Sequence, residues 1–200
     1  DELNIADRHI HIIRGFFPLK ENKKNDILID IKKKLNIRGD FLIYPWTAGT
    51  NKNFDRLLKS LKEVNKNYDV SLIVFDEQMS QDLTLRKILI EHNISDKVHF
   101  LWYIKESEKY NYYAQSKGCI YASIHESFPF DLSEAVLFDT PIITSQLPAI
   151  EKVMWKNVGY FNPILSSSIS SAMTQFSQAE RITSDYSFLR QTFCLENTLI

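Results

Sequence analysis

The sequence is poor in cysteine and in glycine, with two cysteines and five glycines among 200 residues. Two cysteines are too few for a disulfide framework, and Cys119 and Cys194 both stand in apolar surroundings. We therefore expect reduced core thiols in a cytoplasmic protein. No glycine-rich phosphate-binding loop occurs, which argues against the nucleotide-binding motifs that depend on one.

The chain also lacks a charge excess and a long apolar run. Its formal net charge of -1 argues against a nucleic-acid partner, because such proteins normally carry a strong basic excess. No stretch approaches the ~18 apolar residues of a membrane span, and the start of the chain lacks a signal-peptide pattern. None of the five histidines pairs with cysteine or carboxylate at a metal-ligand spacing, so no metal site is predicted.

Short apolar runs alternate with segments of helical period along most of the chain. Strands are predicted at 8–13, 41–44, 70–75, 98–104, 118–124, 141–144 and 158–161, and helices at 25–37, 54–64, 83–93, 107–116, 132–138 and around 149–154. Continuous apolar strands that alternate with helices of about ten residues predict an α/β fold, a Rossmann-like parallel sheet with helices on both faces. Such sheets bind ligands at the carboxyl ends of their strands.

Two glutamates, Glu126 and Glu134, stand seven residues apart where a predicted strand turns into a helix. A ligand-binding pair at this edge of the sheet is one interpretation. The other is structural, because Asp131 and Glu134 have the spacing of a capping box, and Glu126 would then be a solvated loop residue.

The pattern S-x-x-E-x-F-x5-E-A from Ser123 to Ala135, followed by P-I-I-T-S, resembles the signature of retaining GT-B glycosyltransferases of family 4, also called glycosyl transferases group 1. Tyr44-Pro45 and Lys52-Asn53 resemble another segment of that family in order and spacing. The resemblance extends roughly over residues 9 to 195.

The resemblance implies a donor-binding lobe that takes a UDP- or GDP-sugar as substrate, with no cofactor and no metal. Glu126 would contact the donor sugar as the catalytic residue, Glu134 would accept hydrogen bonds from the ribose hydroxyls, and Lys52 would neutralise the diphosphate. The further donor-binding positions it implies are Asn53, Tyr103, Ile104, His125, Ser127 and Phe128. For Lys52 a solvated surface lysine is the alternative, and for Tyr103 and Ile104 plain core packing is the alternative.

The sequence departs from the family at several glycines. Ser127 and Pro129 replace the two glycines of the usual E-G-F-G loop, and Trp102 and Asp76 stand at other common glycine positions. The arginine that often partners the lysine has no clear counterpart, since Arg56 lies one helical turn too late. These losses favour a second hypothesis, a degenerate, non-catalytic lobe that serves as a binding or assembly module. A sugar-nucleotide epimerase is a third and weaker one.

The resemblance also divides the chain. It implies an inter-lobe linker and first strand at 1–18, the C-terminal nucleotide-sugar-binding lobe at 19–195 and a tail at 196–200. An N-terminal acceptor lobe would be missing, so we expect no turnover by this chain alone. The lysine-rich stretch at 20–34 suggests peripheral contact with anionic lipid at the inner face of the membrane, or simply a solvated face.

Overall fold

The computed structural model describes residues 29–45, 50–76, 81–101, 104–180 and 184–192. Within these ranges six strands form one sheet: β1 Asp40–Tyr44, β2 Val70–Val74, β3 Val98–Phe100, β4 Gly118–Tyr121, β5 Ile142–Ser145 and β6 Gly159–Phe161. The strand order is β3-β2-β1-β4-β5-β6, and every neighbouring pair is parallel. The predicted Rossmann-like parallel sheet is therefore confirmed.

Helices cover both faces of this sheet. In the described ranges they are α1 Ile31–Leu35, α2 Phe54–Val64, α3 Leu83–Glu91, α4 Glu106–Gln115, α5 Ser133–Leu137, α6 Pro148–Met154, α7 Ser166–Gln178 and α8 Ser187–Thr192. Three 3-10 turns add to them, at Thr50–Lys52, Phe130–Leu132 and Trp155–Asn157. Helices α2, α3 and α7 contribute to the core on one face, and α1, α4, α5, α6 and α8 to the core on the other.

Strand β1 shows why both faces must be covered. Phe41 and Ile43 pack into one core, whereas the alternate residues Leu42 and Tyr44 pack into the other, and all four are fully buried. Successive side chains of a strand point to opposite faces, and each fully buried apolar side chain contributes roughly 1.5–3 kcal/mol. A run without polar alternation is therefore stable only between two layers of helices.

The strand order reverses between β1 and β4, so the connections from these two strands leave in opposite directions. In open parallel sheets this reversal creates a crevice outside the carboxyl ends of the two strands. The segment after β1 contains Lys52, and the segment after β4 contains Glu126. The fold therefore brings both predicted residues to the same crevice.

The predicted helix at 25–37 begins later than expected within the described residues. Asp30 is extended, and its carboxylate accepts a hydrogen bond from the backbone N–H of Lys33, so α1 begins at Ile31. The predicted strand at 8–13 lies outside the described residues. In the described part of the chain, no helix combines the length and the apolar character that a membrane span requires.

Candidate functional site

The turn that contains Lys52 is fixed above the end of β1. The buried hydroxyl of Tyr44, the last residue of that strand, donates a hydrogen bond to the backbone oxygen of Lys52 at 2.5 Å. Asn53 follows with a φ of 61°, a left-handed conformation that asparagine tolerates better than most residues, and α2 then begins. This reversal directs the Lys52 side chain towards the segment after β4.

Lys52, Tyr121, Glu126 and Asp131 form one hydrogen-bonded group, which we call the Lys52 cluster. The Lys52 ammonium lies 2.6 Å from an Asp131 carboxylate oxygen, 2.8 Å from Glu126 Oε1 and 2.8 Å from the Tyr121 hydroxyl. An ammonium has three N–H donors, so these three partners satisfy it completely. Lys52 itself is only 5% exposed.

Glu126 is held mainly through one oxygen, Oε1. Besides Lys52, the Tyr121 hydroxyl donates to it at 2.5 Å and the Ser123 hydroxyl at 2.7 Å. The Asn51 amide lies 3.4 Å from the same oxygen and also donates to the backbone oxygen of His125 at 2.8 Å. The loop after β4 is thereby tied to the turn after β1.

The electrostatics of the Lys52 cluster favour a charged lysine beside a neutral tyrosine. Burial alone lowers the pKa of Lys52, but its hydrogen bonds to Asp131 and Glu126 outweigh burial and raise the pKa. Burial, followed by the hydrogen bond to Glu126, raises the pKa of Tyr121 far above its ordinary value. By formal charge, one lysine and two carboxylates give the cluster about -1.

Glu134 is the centre of a second group, the Glu134 cluster, which also contains Lys109 and Tyr113 of α4. Lys109 forms an ion pair with Glu134 Oε1, and the Tyr113 hydroxyl donates to Oε2 at 2.9 Å. The Lys109 and Glu134 side chains are 24% and 28% exposed, so this cluster is more accessible than the first. Burial alone lowers the pKa of Lys109, but its bond to Glu134 and its interactions with Glu106 raise it overall.

The capping-box interpretation of Asp131 and Glu134 is wrong. Asp131 lies in the 3-10 turn Phe130–Leu132, and its carboxylate accepts a hydrogen bond from Lys52 and lies 3.0 Å from the Tyr121 hydroxyl. Helix α5 begins after Leu132 without a side-chain cap. Asp131 contacts the lysine because the 3-10 turn precedes the helix and places its side chain towards β4.

The solvated-lysine alternative for Lys52 is also wrong, because the residue is buried and ion-paired. The Asn53 amide donates to the backbone oxygens of Ala122 and Pro163, and its own oxygen accepts from Arg56. The Asn53 side chain therefore ties together three segments of the protein.

The remaining predicted positions differ in exposure. His125 and Ser127 are exposed beside Glu126, whereas Phe128 is buried and packs on Phe130 at 4.7 Å between ring centres. Ile104 is half-buried against the core, and Tyr103 lies outside the described residues. Donor contact by each of these residues stays a prediction.

Sequence reasoning missed four members of the two clusters as functional residues: Tyr121, Asp131, Lys109 and Tyr113. Tyr121 stands in an apolar strand and resembles any core aromatic, while Lys109 resembles a solvated helix lysine. The one available signal was position, because Tyr121 lies at the carboxyl end of a strand whose following loop contains Glu126. Among the described residues, no group of three or more histidine, cysteine, aspartate or glutamate side chains is placed to hold a metal ion.

A family model described as glycosyl transferases group 1 matches residues 28–177, more than half of the chain. Among curated proteins, the O-antigen chain mannosyltransferase RfbU of Salmonella typhimurium is 27% identical over 128 residues. The match covers 64% of this chain and 36% of that protein. The chain therefore spans little more than a third of the length of this relative.

Several solved structures share this fold at low sequence identity. The C-terminal domain of a glycosyl transferase group 1 family protein from Francisella tularensis matches with a TM-score of 0.62 at 16% identity, over 88% of this chain and 94% of that one. The Anabaena protein HepE, solved in complex with UDP and glucose, matches with a TM-score of 0.68 at 15% identity, over 82% of this chain and 47% of that one. At these identities the likeness shows the fold alone.

Proposed function

Since the chain belongs to the glycosyl transferases group 1 family, we propose that it is the donor-binding lobe of a retaining glycosyltransferase. It would bind a UDP- or GDP-hexose at the carboxyl edge of its sheet and present the sugar to a glycan or lipid-linked acceptor. One observation carries the proposal: Lys52 Nζ lies 2.8 Å from Glu126 Oε1 at the crevice where the strand order reverses. The relatives support the substrate class, because one is named a mannosyltransferase and another was solved with UDP and glucose.

The chemistry follows from the charges. When the glycosidic bond of a nucleotide sugar breaks, negative charge builds on the departing diphosphate, and a fixed cation such as Lys52 stabilises it. Glu126, whose Oε1 is already held by Tyr121 and Ser123, would accept a sugar hydroxyl with its other oxygen. Glu134 would bind the ribose, and no metal or cofactor would take part.

The likeness over nearly the whole of a structure described as a C-terminal domain supports the assignment to a single lobe. The acceptor would then be bound by an N-terminal lobe, and transfer would take place between the two lobes. We expect this chain alone to bind a donor without turning it over. Contact of the α1 lysines with anionic lipid at the cytoplasmic face is part of the same proposal.

A second candidate function is a degenerate lobe that binds no donor and acts as an assembly module. The saturation of Lys52 favours it, because all three N–H donors already have protein partners. The buried Pro129 also favours it, since proline offers no backbone N–H to a ligand. A diphosphate can bind Lys52 only by replacing one of the present partners.

Calorimetric titration with UDP, GDP, UDP-glucose, UDP-N-acetylglucosamine and GDP-mannose separates the two functions. We expect saturable binding of one nucleotide, and weakening by about tenfold or more (~1.4 kcal/mol or more) in Glu134→Ala. The matched control is Glu63→Ala, which removes a mostly exposed carboxylate of α2 that pairs with Lys66. Failure of the folded chain and of its full-length protein to bind any of the five would support the degenerate lobe.

A further inference from the structure

Two donors from α4 hold the Glu134 carboxylate from within the protein. Lys109 binds Oε1 and the Tyr113 hydroxyl binds Oε2, so each oxygen has one side-chain partner among the described residues. Lys109 and Tyr113 are four residues apart in a helix and therefore lie on the same side of it. One helix face thus orients a carboxylate that belongs to a different helix.

The Tyr113 hydroxyl is a fixed donor. Its ring is fully buried between Phe75 and Phe138, with ring centres 5.7 and 5.4 Å away. Burial, followed by the nearby charge of Glu134, raises the pKa of Tyr113 well above its ordinary value, so the hydroxyl keeps its proton. Lys109 is anchored as well, because Glu106 lies 3.1 Å from its ammonium group.

The carboxylate of Glu134 keeps acceptor capacity after these two bonds. An ionised carboxylate has about four lone-pair positions, and Lys109 and Tyr113 occupy two of them. The rest of the described chain leaves one position on each oxygen, and the side chain is 28% exposed. Two accessible acceptors on one rigid carboxylate match the two vicinal hydroxyls of a ribose. Lys109 also cancels the charge that would otherwise repel a neighbouring diphosphate.

We propose that Lys109 and Tyr113 are positioning residues that orient Glu134 for the ribose hydroxyls of the donor nucleotide. This inference rests on the proposed donor-binding function. Neither residue needs to touch the nucleotide, since each acts through the carboxylate that it holds. Their removal should therefore affect recognition of the ribose hydroxyls more than recognition of the base or the diphosphate.

The test compares binding of UDP with 2′-deoxy-UDP, and of GDP with 2′-deoxy-GDP, by calorimetry on the full chain. We expect the wild-type protein to prefer the ribonucleotide by about tenfold or more, as loss of a hydrogen bond to a charged group implies. Tyr113→Phe and Lys109→Met should bring the preference to within about threefold of unity. Lys109→Arg should retain it, because arginine keeps the charge and the donors.

Tyr113→Phe and Lys109→Met each have a matched control. Tyr112→Phe removes the hydroxyl of the neighbouring buried tyrosine, which accepts a hydrogen bond from Lys34 at 3.0 Å instead of binding Glu134. Lys34→Met removes that second lysine. Both controls should keep the wild-type preference. A general loss of stability would weaken the ribo- and deoxyribonucleotides equally, and Lys109→Met and Lys109→Arg decide the outcome if Tyr113→Phe does not fold.

Three results would overturn the inference. Unchanged ribose preference in folded Tyr113→Phe and Lys109→Met would remove the positioning role while leaving the donor-binding function intact. A stronger preference in these variants would show that Lys109 and Tyr113 compete with the ribose. Absence of nucleotide binding by the wild-type chain and by its full-length protein would overturn the proposed function and this inference together.

Discussion

The Lys52 cluster and the Glu134 cluster share the same parts but differ in burial and charge. Each contains a lysine, a tyrosine hydroxyl and a predicted ligand-binding glutamate. In the first, the lysine, Glu126 and Asp131 side chains are 7, 11 and 12% exposed, and two carboxylates share one lysine. In the second, the ion pair is about a quarter exposed and the nearby Glu106 is mostly in solvent.

The Lys52 ammonium is fully paired, whereas the Glu134 carboxylate keeps acceptor positions that a ligand can use. All three donors of Lys52 have partners, so a phosphate must displace one of them before it can bind. Glu134 retains an acceptor position on each oxygen and can take a ligand without losing either protein partner. Under the proposed function, the diphosphate of a donor would therefore bind only after Lys52 loses a partner, whereas the ribose would bind Glu134 with both of its protein partners in place.

Replacement of Lys52 by methionine tests this comparison most strongly. Lys52→Met leaves Glu126 and Asp131 together in a nearly buried site without a cation, and we expect a loss of about 3–5 kcal/mol in the free energy of unfolding. Urea denaturation measures it. The control Lys59→Met, which breaks an exposed pair with Asp55, should cost less than about 0.5 kcal/mol.

The double variant Lys52→Met/Asp131→Asn sharpens the result. If carboxylate repulsion causes the loss, the second substitution should restore part of the stability, since only one carboxylate remains. A double variant no more stable than Lys52→Met would show that lost packing is responsible instead.

Asp131→Asn alone should strengthen nucleotide binding. The substitution removes one of the two carboxylates beside Lys52 and brings the formal charge of the cluster from about -1 to about zero. We expect UDP or GDP to bind about fivefold more tightly (~1 kcal/mol), measured by calorimetry. Asp55→Asn is the matched control at an exposed site. Weaker binding in Asp131→Asn would mean that Asp131 holds Lys52 in place for the phosphate.

Lys109→Met should destabilise the fold less than Lys52→Met does. Its ion pair with Glu134 is partly solvated, so we expect a loss of about 1 kcal/mol in the free energy of unfolding. Urea denaturation of the two lysine variants side by side gives the difference. Equal losses would contradict the distinction between a buried and an accessible cluster.

The pH dependence of the Lys109 contribution gives the smallest effect. The pKa of Lys109 is raised above its ordinary value of 10.5, so its stabilisation is fully present below pH 10.5 and is lost as the pH rises through the folded-state pKa. The stability difference between wild type and Lys109→Met should be constant from pH 7 to about 10 and shrink above that range. Chemical denaturation at a series of pH values measures it, and a difference that shrinks near neutral pH would contradict the assignment.

The local sequence was enough to predict the architecture. Strand β1 and strand β2 read as apolar runs without polar alternation, and such runs are stable only in a sheet covered on both sides. The edge on which Glu126 lies followed as well, because carboxyl ends of parallel strands meet there. The start of α1 at Ile31 was missed, since the Asp30 cap competes with helical continuation of the apolar stripe.

The partners of the charged residues were decided only by the tertiary structure. Lys52 and Glu126 are 74 positions apart, and Lys109 and Glu134 are 25 apart, so no local pattern connects them. Whether Asp131 caps a helix or pairs with Lys52 depends on the 3-10 turn at Phe130–Leu132, which local spacing does not reveal. Periodicity follows from each residue's own hydrophobicity and backbone preference, which the sequence contains, whereas an ion pair depends on which charged residues the tertiary structure brings together.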